Sequence, residues 1–203
     1  MSSFVSLSLT LAAVFPIEGS KQGKLAHLFV GVVFAMLFWY VLEKQYRNPA
    51  LNPILMFLAC LWGACGLFFF RWFFIDINIP ILKEKWFYVA FPDWDILILG
   101  IGAHRNLLFH STILPVILMG VAVWKKLLWL RDFGIGLTVG ISAHLTWDMV
   151  TVYRRPWHYI RHLDGFAGAL WVAANVIIGL FLAYYLVGRT SLPIKGREGE
   201  PLT

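Results

Sequence analysis

Seven side chains in this sequence are of the types that bind divalent cations: His27, Asp93, Asp95, His104, His110, His144 and Asp148. Zinc and related ions take imidazole nitrogen and carboxylate oxygen as ligands. His144 and Asp148 stand four apart in AHLTWD, so on a helix they project from one face, a turn apart. Asp93 and Asp95 follow Pro92 with a single residue between them, which puts two carboxylates close together in a non-helical segment and suits the bridging of two cations. His104 and His110 are six apart, and a continuous helix would point them to different faces. For both to bind, the chain must leave helical geometry near Arg105 or Asn106, and a helix starting near Leu107 would allow this. Arg105 adds a cation whose planar fork suits a phosphate or carboxylate. Ser111, beside His110, is placed to orient a ligand or a water.

Each residue alone has an ordinary explanation. An isolated interfacial histidine is usually a solvated, snorkelling side chain. Asp93 and Asp95 fit a capped loop or helix start, and Asp148 fits an ion pair with Arg154 or Arg155. His158 and His162 also stand four apart, in WHYIRH, but in an aromatic, basic stretch that reads as interfacial. The joint pattern carries the metal reading.

The elements that must position these donors read as membrane spans. The chain has 203 residues, 60% hydrophobic, 17% aromatic and 14% charged, with mean hydropathy +0.73. Soluble domains carry about 25% charged residues. A helical span needs about 20 apolar residues, and five stretches come near this: 25–42, 52–74, 107–124, 133–150 and 166–187. Trp39, Tyr40, Trp124, Trp129, Tyr184 and Tyr185 lie near span ends, where amphipathic rings are favoured. The expected fold is therefore all-α, a polytopic bundle of about five transmembrane helices. A single membrane-embedded domain covers residues 1–188, and a polar tail over 189–203 has the composition of a disordered segment. The connection 71–105 is apolar enough to follow the membrane surface. Residues 1–16 have no basic start of the kind a secretory signal carries, and read as a short interfacial or re-entrant piece of the mature chain.

On this topology all six histidines fall on one membrane face, together with Asp93, Asp95, Asp148 and Asp164. Hydropathy alone defines the spans, so the convergence of the donors is independent of them. Ionisable groups in or beside spans are costly to hold there, which favours a functional reading for His27, His144 and Asp148. Lys and Arg divide almost evenly between the two faces, so no orientation follows from the positive-inside rule. The net charge of +6 forms no basic stripe interleaved with aromatics, which argues against nucleic acid and for the bilayer as partner. Cys60 and Cys65 share one apolar run and make no disulfide framework.

The segments AHLFVG (26–31), PDWD (92–95), HRNLLFHS (104–111) and GISAHLTWD (140–148) resemble, in that order, the motifs of the YdjM-like family of membrane-bound metal-dependent hydrolases. The counterparts are His27 with Gly31, Asp93 with Asp95, His104 and Arg105 with His110 and Ser111, and Ser142 with His144 and Asp148. Asn106 and Phe109 depart from that family's pattern, with one extra residue between the two histidines. The family is distantly similar to zinc-dependent phospholipase C enzymes, and the resemblance implies phosphoester hydrolysis at a site with two or more divalent ions, zinc foremost.

The expectation is a hydrolase of a phosphoester or related ester in a lipid-like substrate. His27, Asp93, Asp95, His104, His110, His144 and Asp148 would hold the metal, while Arg105, Asp93 and Asp148 would serve catalysis. Two alternatives stand beside it: a metal-binding membrane subunit without turnover, and a small transporter. The transporter would need polar groups at the bilayer midplane, whereas these cluster at one face.

Overall fold

In the computed structural model the described residues are 21–66, 88–100, 104–152, 163, 165–189 and 192–193. The readings of residues 1–16, of His158, His162 and Asp164, and of most of the 71–105 connection and the tail lie outside them. The architecture is all-α. Helix α1 spans Lys21–Gln45, α2 Pro53–Cys65, and a 3-10 turn over Phe91–Asp93 leads into the short α3, Trp94–Leu99. Then follow α4, Ile113–Trp124, α5, Leu128–Val152, and α6, Gly165–Gly188. Tyr46–Asn48 and Leu192–Pro193 form an antiparallel pairing.

Two of these helices are long and apolar enough to cross a membrane, Gly23–Gln45 and Gly165–Gly188. The apolar helices Pro53–Cys65 and Ile113–Trp124 are shorter. The expected boundaries shift where polar residues intervene. Helix α4 begins at Ile113 rather than Leu107, because residues 104–112 are spent on a folded loop that carries two of the histidines. Helix α5 begins at Leu128 rather than Phe133, because Arg131 and Asp132 neutralise each other inside it at 2.6 Å. Asp132 also accepts the Asn52 N–H at 2.9 Å, and Arg131 donates to the Ala50 carbonyl. The loop entering α2 is thereby tied to the start of α5.

Helix α5 is the hub, packing on α1, α2, α4 and α6. Its contact with α2 is backbone on backbone: a Cβ at Gly136 would lie 2.2 Å from the Met56 carbonyl oxygen, and one at Gly140 2.0 Å from that of Cys60. Small residues spaced by four allow this approach. The same face of α5 continues at the same spacing into His144 and Asp148, while α2 continues from Met56 and Cys60 to Ala64. Close packing of the two helices thus delivers the site. Helix α1 joins through Gly31, whose Cβ would lie 2.6 Å from that of Ala64. Gly31 is one turn from His27, so the His-x-x-x-Gly pattern pairs a donor with the contact that seats it. Around these contacts lie Ala59, Leu137, Ile141, Leu145 and Val172 in one core cluster, and Ala35, Cys60 and Val139 in another.

Gly140→Ala is expected to lower stability in detergent by about 1–3 kcal/mol, the usual cost of overpacking. Gly120→Ala, with open space beyond the added methyl, should leave the fold intact. Thermal unfolding of the pair checks this.

Helix α2 starts with Asn52, which accepts the Leu55 N–H at 3.1 Å, and Pro53 follows at a position where its missing N–H costs nothing. It ends at Gly66 with φ 74°, where a Cβ would also meet the Tyr88 carbonyl at 2.7 Å. Only glycine combines that dihedral with that approach, and the approach brings the segment before Asp93 against the end of α2.

Candidate metal centre

His27 comes from α1 and His144 and Asp148 from α5. Asp93 and Asp95 come from the 3-10 turn and α3, a helical stretch where a non-helical one was expected because Pro92 starts the turn, and His104 and His110 from the loop before α4. All seven converge. His27 Nε2 lies 3.1 Å from Asp148 Oδ1, and His144 Nε2 lies 3.4 Å from Asp148 Oδ2. Two ligands on one tetrahedral zinc ion stand about 3.3 Å apart, so these spacings fit a shared ion. The tautomers agree. His27 Nδ1 is 2.8 Å from the Gly23 carbonyl and His144 Nδ1 is 2.7 Å from the Ala64 carbonyl. A carbonyl only accepts, so each Nδ1 is the donor, and in the neutral rings both Nε2 lone pairs face Asp148. Lone pairs aimed at a carboxylate repel unless a proton or a metal cation lies between them, and a backbone carbonyl behind the ring is how ligating histidines are usually oriented.

Asp93, His104 and His110 form a second group whose ligand atoms lie within 4.8 Å of one another. Asp93 Oδ1 is 3.9 Å from His104 Nδ1, 3.8 Å from His110 Nε2 and 3.9 Å from His144 Nε2. These distances exceed hydrogen-bonding reach, and they put one carboxylate oxygen among three imidazoles, linking the two groups. His110 is 1% exposed, yet neither of its ring nitrogens has a hydrogen-bond partner. Buried polar atoms left so are costly. A cation would satisfy them, so the residues present fit a metal.

Asp95 lies beside these donors, on the His104 nitrogen that also faces Asp93 and on the far nitrogen of His110. It is fully buried, with Oδ1 3.3 Å from His104 Nδ1 and Oδ2 accepting the Asn106 N–H at 2.9 Å. His110 Nδ1 approaches Oδ2 to 3.3 Å. Burial alone would raise its pKa, but the bonds from His104 and Asn106 and the imidazole of His110 close by hold the carboxyl well below the usual range. Burial opposes a charge on His104, and the bond to Asp95 with the charges of Asp93, Asp95 and Asp148 outweighs it, raising its pKa. Asp93, Asp95 and Asp148 supply the anionic oxygens that a cation site uses.

The chain leaves helical geometry at Arg105, with φ 65°, and the Arg105 side chain is largely buried. Asn106 Oδ1 accepts the Leu108 N–H at 2.9 Å, so this departure from the family's pattern has a local use. The Ser111 hydroxyl donates to the Leu108 carbonyl at 2.8 Å and accepts from the Ile113 N–H at 3.3 Å. Both bonds shape the loop. Ser142, two residues before His144, is buried with its hydroxyl unpartnered and belongs to neither group.

The carbonyls of Gly23 and Ala64 leave no mark in the sequence, since every residue has one, whereas Asn175 stands out as a polar amide inside the apolar 166–187 stretch. Comparison with protein-family models, with curated proteins and with solved structures finds no match to this chain.

Proposed function

We propose that the protein is a multi-pass membrane hydrolase using two divalent cations, with zinc suited to these donors, to cleave a phosphoester or related ester of a lipid-like substrate. The observation that carries the reading is the pair of donor groups joined through Asp93 Oδ1. His27, His144 and Asp148 would hold one cation, and Asp93, His104 and His110 the other. Asp95 would orient His110 from its Nδ1 side, and its Oδ1, on the same His104 nitrogen as Asp93, would be a further ligand of that cation. When bound, the cations would lower the pKa of a coordinated water and polarise the scissile group.

Access supports turnover over a purely structural metal site. The side chains of Asp93 and His104 are 28% and 27% exposed, while those of His110 and Asp95 are 2% and 0%. A closed back with an open front is what catalysis needs, since structural metal sites are closed. Three carboxylates against two dications leave positive charge for an anionic group, and Arg105 would offset charge developing on phosphoryl oxygens. Leu25, Ile98, Leu99 and Phe166 are exposed on the elements that carry or flank the donors. Phe29, Met36, Ile177 and Phe181 are exposed along the two longest apolar helices. Both favour a bilayer setting and a lipid-like substrate. The order of motifs resembling the YdjM-like family points the same way.

Elemental analysis of the detergent-purified protein, with hydrolysis assays on phospholipid-type phosphoesters, tests the reading. Two equivalents of metal with metal-dependent hydrolysis are expected. Metal-free protein would end the proposal, and bound metal without turnover on any ester would leave a non-catalytic metal subunit. Arg105→Gln is expected to keep both metals and lose about 10²-fold in turnover, the effect of deleting one electrostatic stabiliser.

A further inference from the structure

Helix α6 contributes none of the seven donors, yet a polar side chain in its interior reaches toward them. Asn175 is 8% exposed within an apolar helix, where an unpaired amide would be costly. Its Oδ1 accepts the Thr112 N–H at 3.2 Å, its main-chain carbonyl accepts the Thr112 hydroxyl at 2.8 Å, and its Nδ2 donates to the Trp171 carbonyl at 2.9 Å. Gly179, one turn on, makes room for Thr112, since a Cβ there would lie 2.8 Å from the threonine Oγ1. Thr112 occupies the N-cap of α4 but makes no capping bond there. Its hydroxyl is turned to α6 instead.

Thr112 ends the loop that carries His110. Within that loop, His110 N–H to Asn106 carbonyl at 2.9 Å and Ser111 to Leu108 fix local shape. They do not set where the loop sits on the bundle. The His27 and His144 rings are each locked by a backbone carbonyl, whereas the His110 ring makes no well-aligned hydrogen bond and has only the 3.3 Å approach of its Nδ1 to Asp95. Its aim therefore depends largely on its backbone. We infer that Asn175 is a positioning residue for the metal centre: through Thr112 it seats the His110 loop and so sets the affinity of the cation shared by Asp93, His104 and His110. This rests on the two-cation reading above.

Cobalt titration of the full chain in detergent, followed by visible absorption and by bound-metal stoichiometry, tests it. Wild type should bind two equivalents. In Asn175→Leu and in Thr112→Val the second equivalent should bind about 10–100-fold more weakly, the usual effect of losing a group that orients a ligand. The first should be unchanged, and the cobalt bands of the weakened position altered. Thr112→Ser, which keeps the hydroxyl, should follow wild type. Gly179→Ala, which displaces Thr112 by crowding, should reproduce the loss and serves if Asn175→Leu does not fold. Two equivalents with wild-type affinity and spectrum in folded Asn175→Leu, Thr112→Val or Gly179→Ala would overturn the inference and leave the metal centre standing. A fall in melting temperature alone would do the same. Wild type binding no cobalt would instead overturn the metal centre itself.

Discussion

His144→Ala is expected to remove the cation held with His27 and Asp148 and to reduce hydrolysis by at least about 10²–10³-fold, the scale set by loss of one preorganised electrostatic stabiliser. His144 faces Asp148 at 3.4 Å and lies 3.9 Å from Asp93 Oδ1, so its loss strips one position and disturbs the other. Metal stoichiometry should fall from two toward one. His144 also satisfies the Ala64 carbonyl, and leaving such a group unpaired costs about 1–3 kcal/mol. His144→Gln, which keeps an N–H donor, separates that contribution from metal loss: it should recover melting temperature better than activity. Full hydrolysis in metal-depleted His144→Ala would refute the assignment.

The second large effect is expected at Asp93, by contrast with Asp95. Asp93→Ala removes the oxygen that stands among His104, His110 and His144, so both cations should be weakened together and hydrolysis should fall to background. Asp95 Oδ1 faces the His104 nitrogen that also faces Asp93, while Oδ2 accepts the Asn106 N–H and nears His110. Asp95→Asn keeps an oxygen there and removes only the charge, so it should keep both positions and weaken metal by about 10–100-fold. Titration with a metal buffer while activity is followed separates the two outcomes. Added metal should restore Asp95→Asn and not Asp93→Ala. Identical behaviour of the two variants would mean that the two aspartates serve the metals alike.

Much of the site was legible because its signals are local. His144 and Asp148 sit one turn apart on α5, and any helix over AHLTWD puts them on one face. The six-residue gap between His104 and His110 required a break in the helix, and the chain turns left-handed at Arg105. The length of that break was not legible. It runs to Thr112 because Asn175, 63 residues further along the chain, holds Thr112, and nothing in 104–112 itself announces so distant a partner. Likewise the early start of α5 depends on the Arg131–Asp132 pair meeting the loop before α2. Hydropathy counts both residues as polar and cannot credit a neutralised pair.

The amino-acid sequence by itself determined the all-helical class, the apolar stretches and the donor types, because helical period and hydropathy act over neighbouring residues. The arrangement of donors into two groups was decided only in three dimensions. His27 reaches Asp148 across 121 positions because Gly31, Gly136 and Gly140 let backbones approach where any Cβ would collide. Backbone carbonyls, which every residue carries, then choose the tautomers of His27 and His144. Such choices depend on distances between elements, and those are properties of packing.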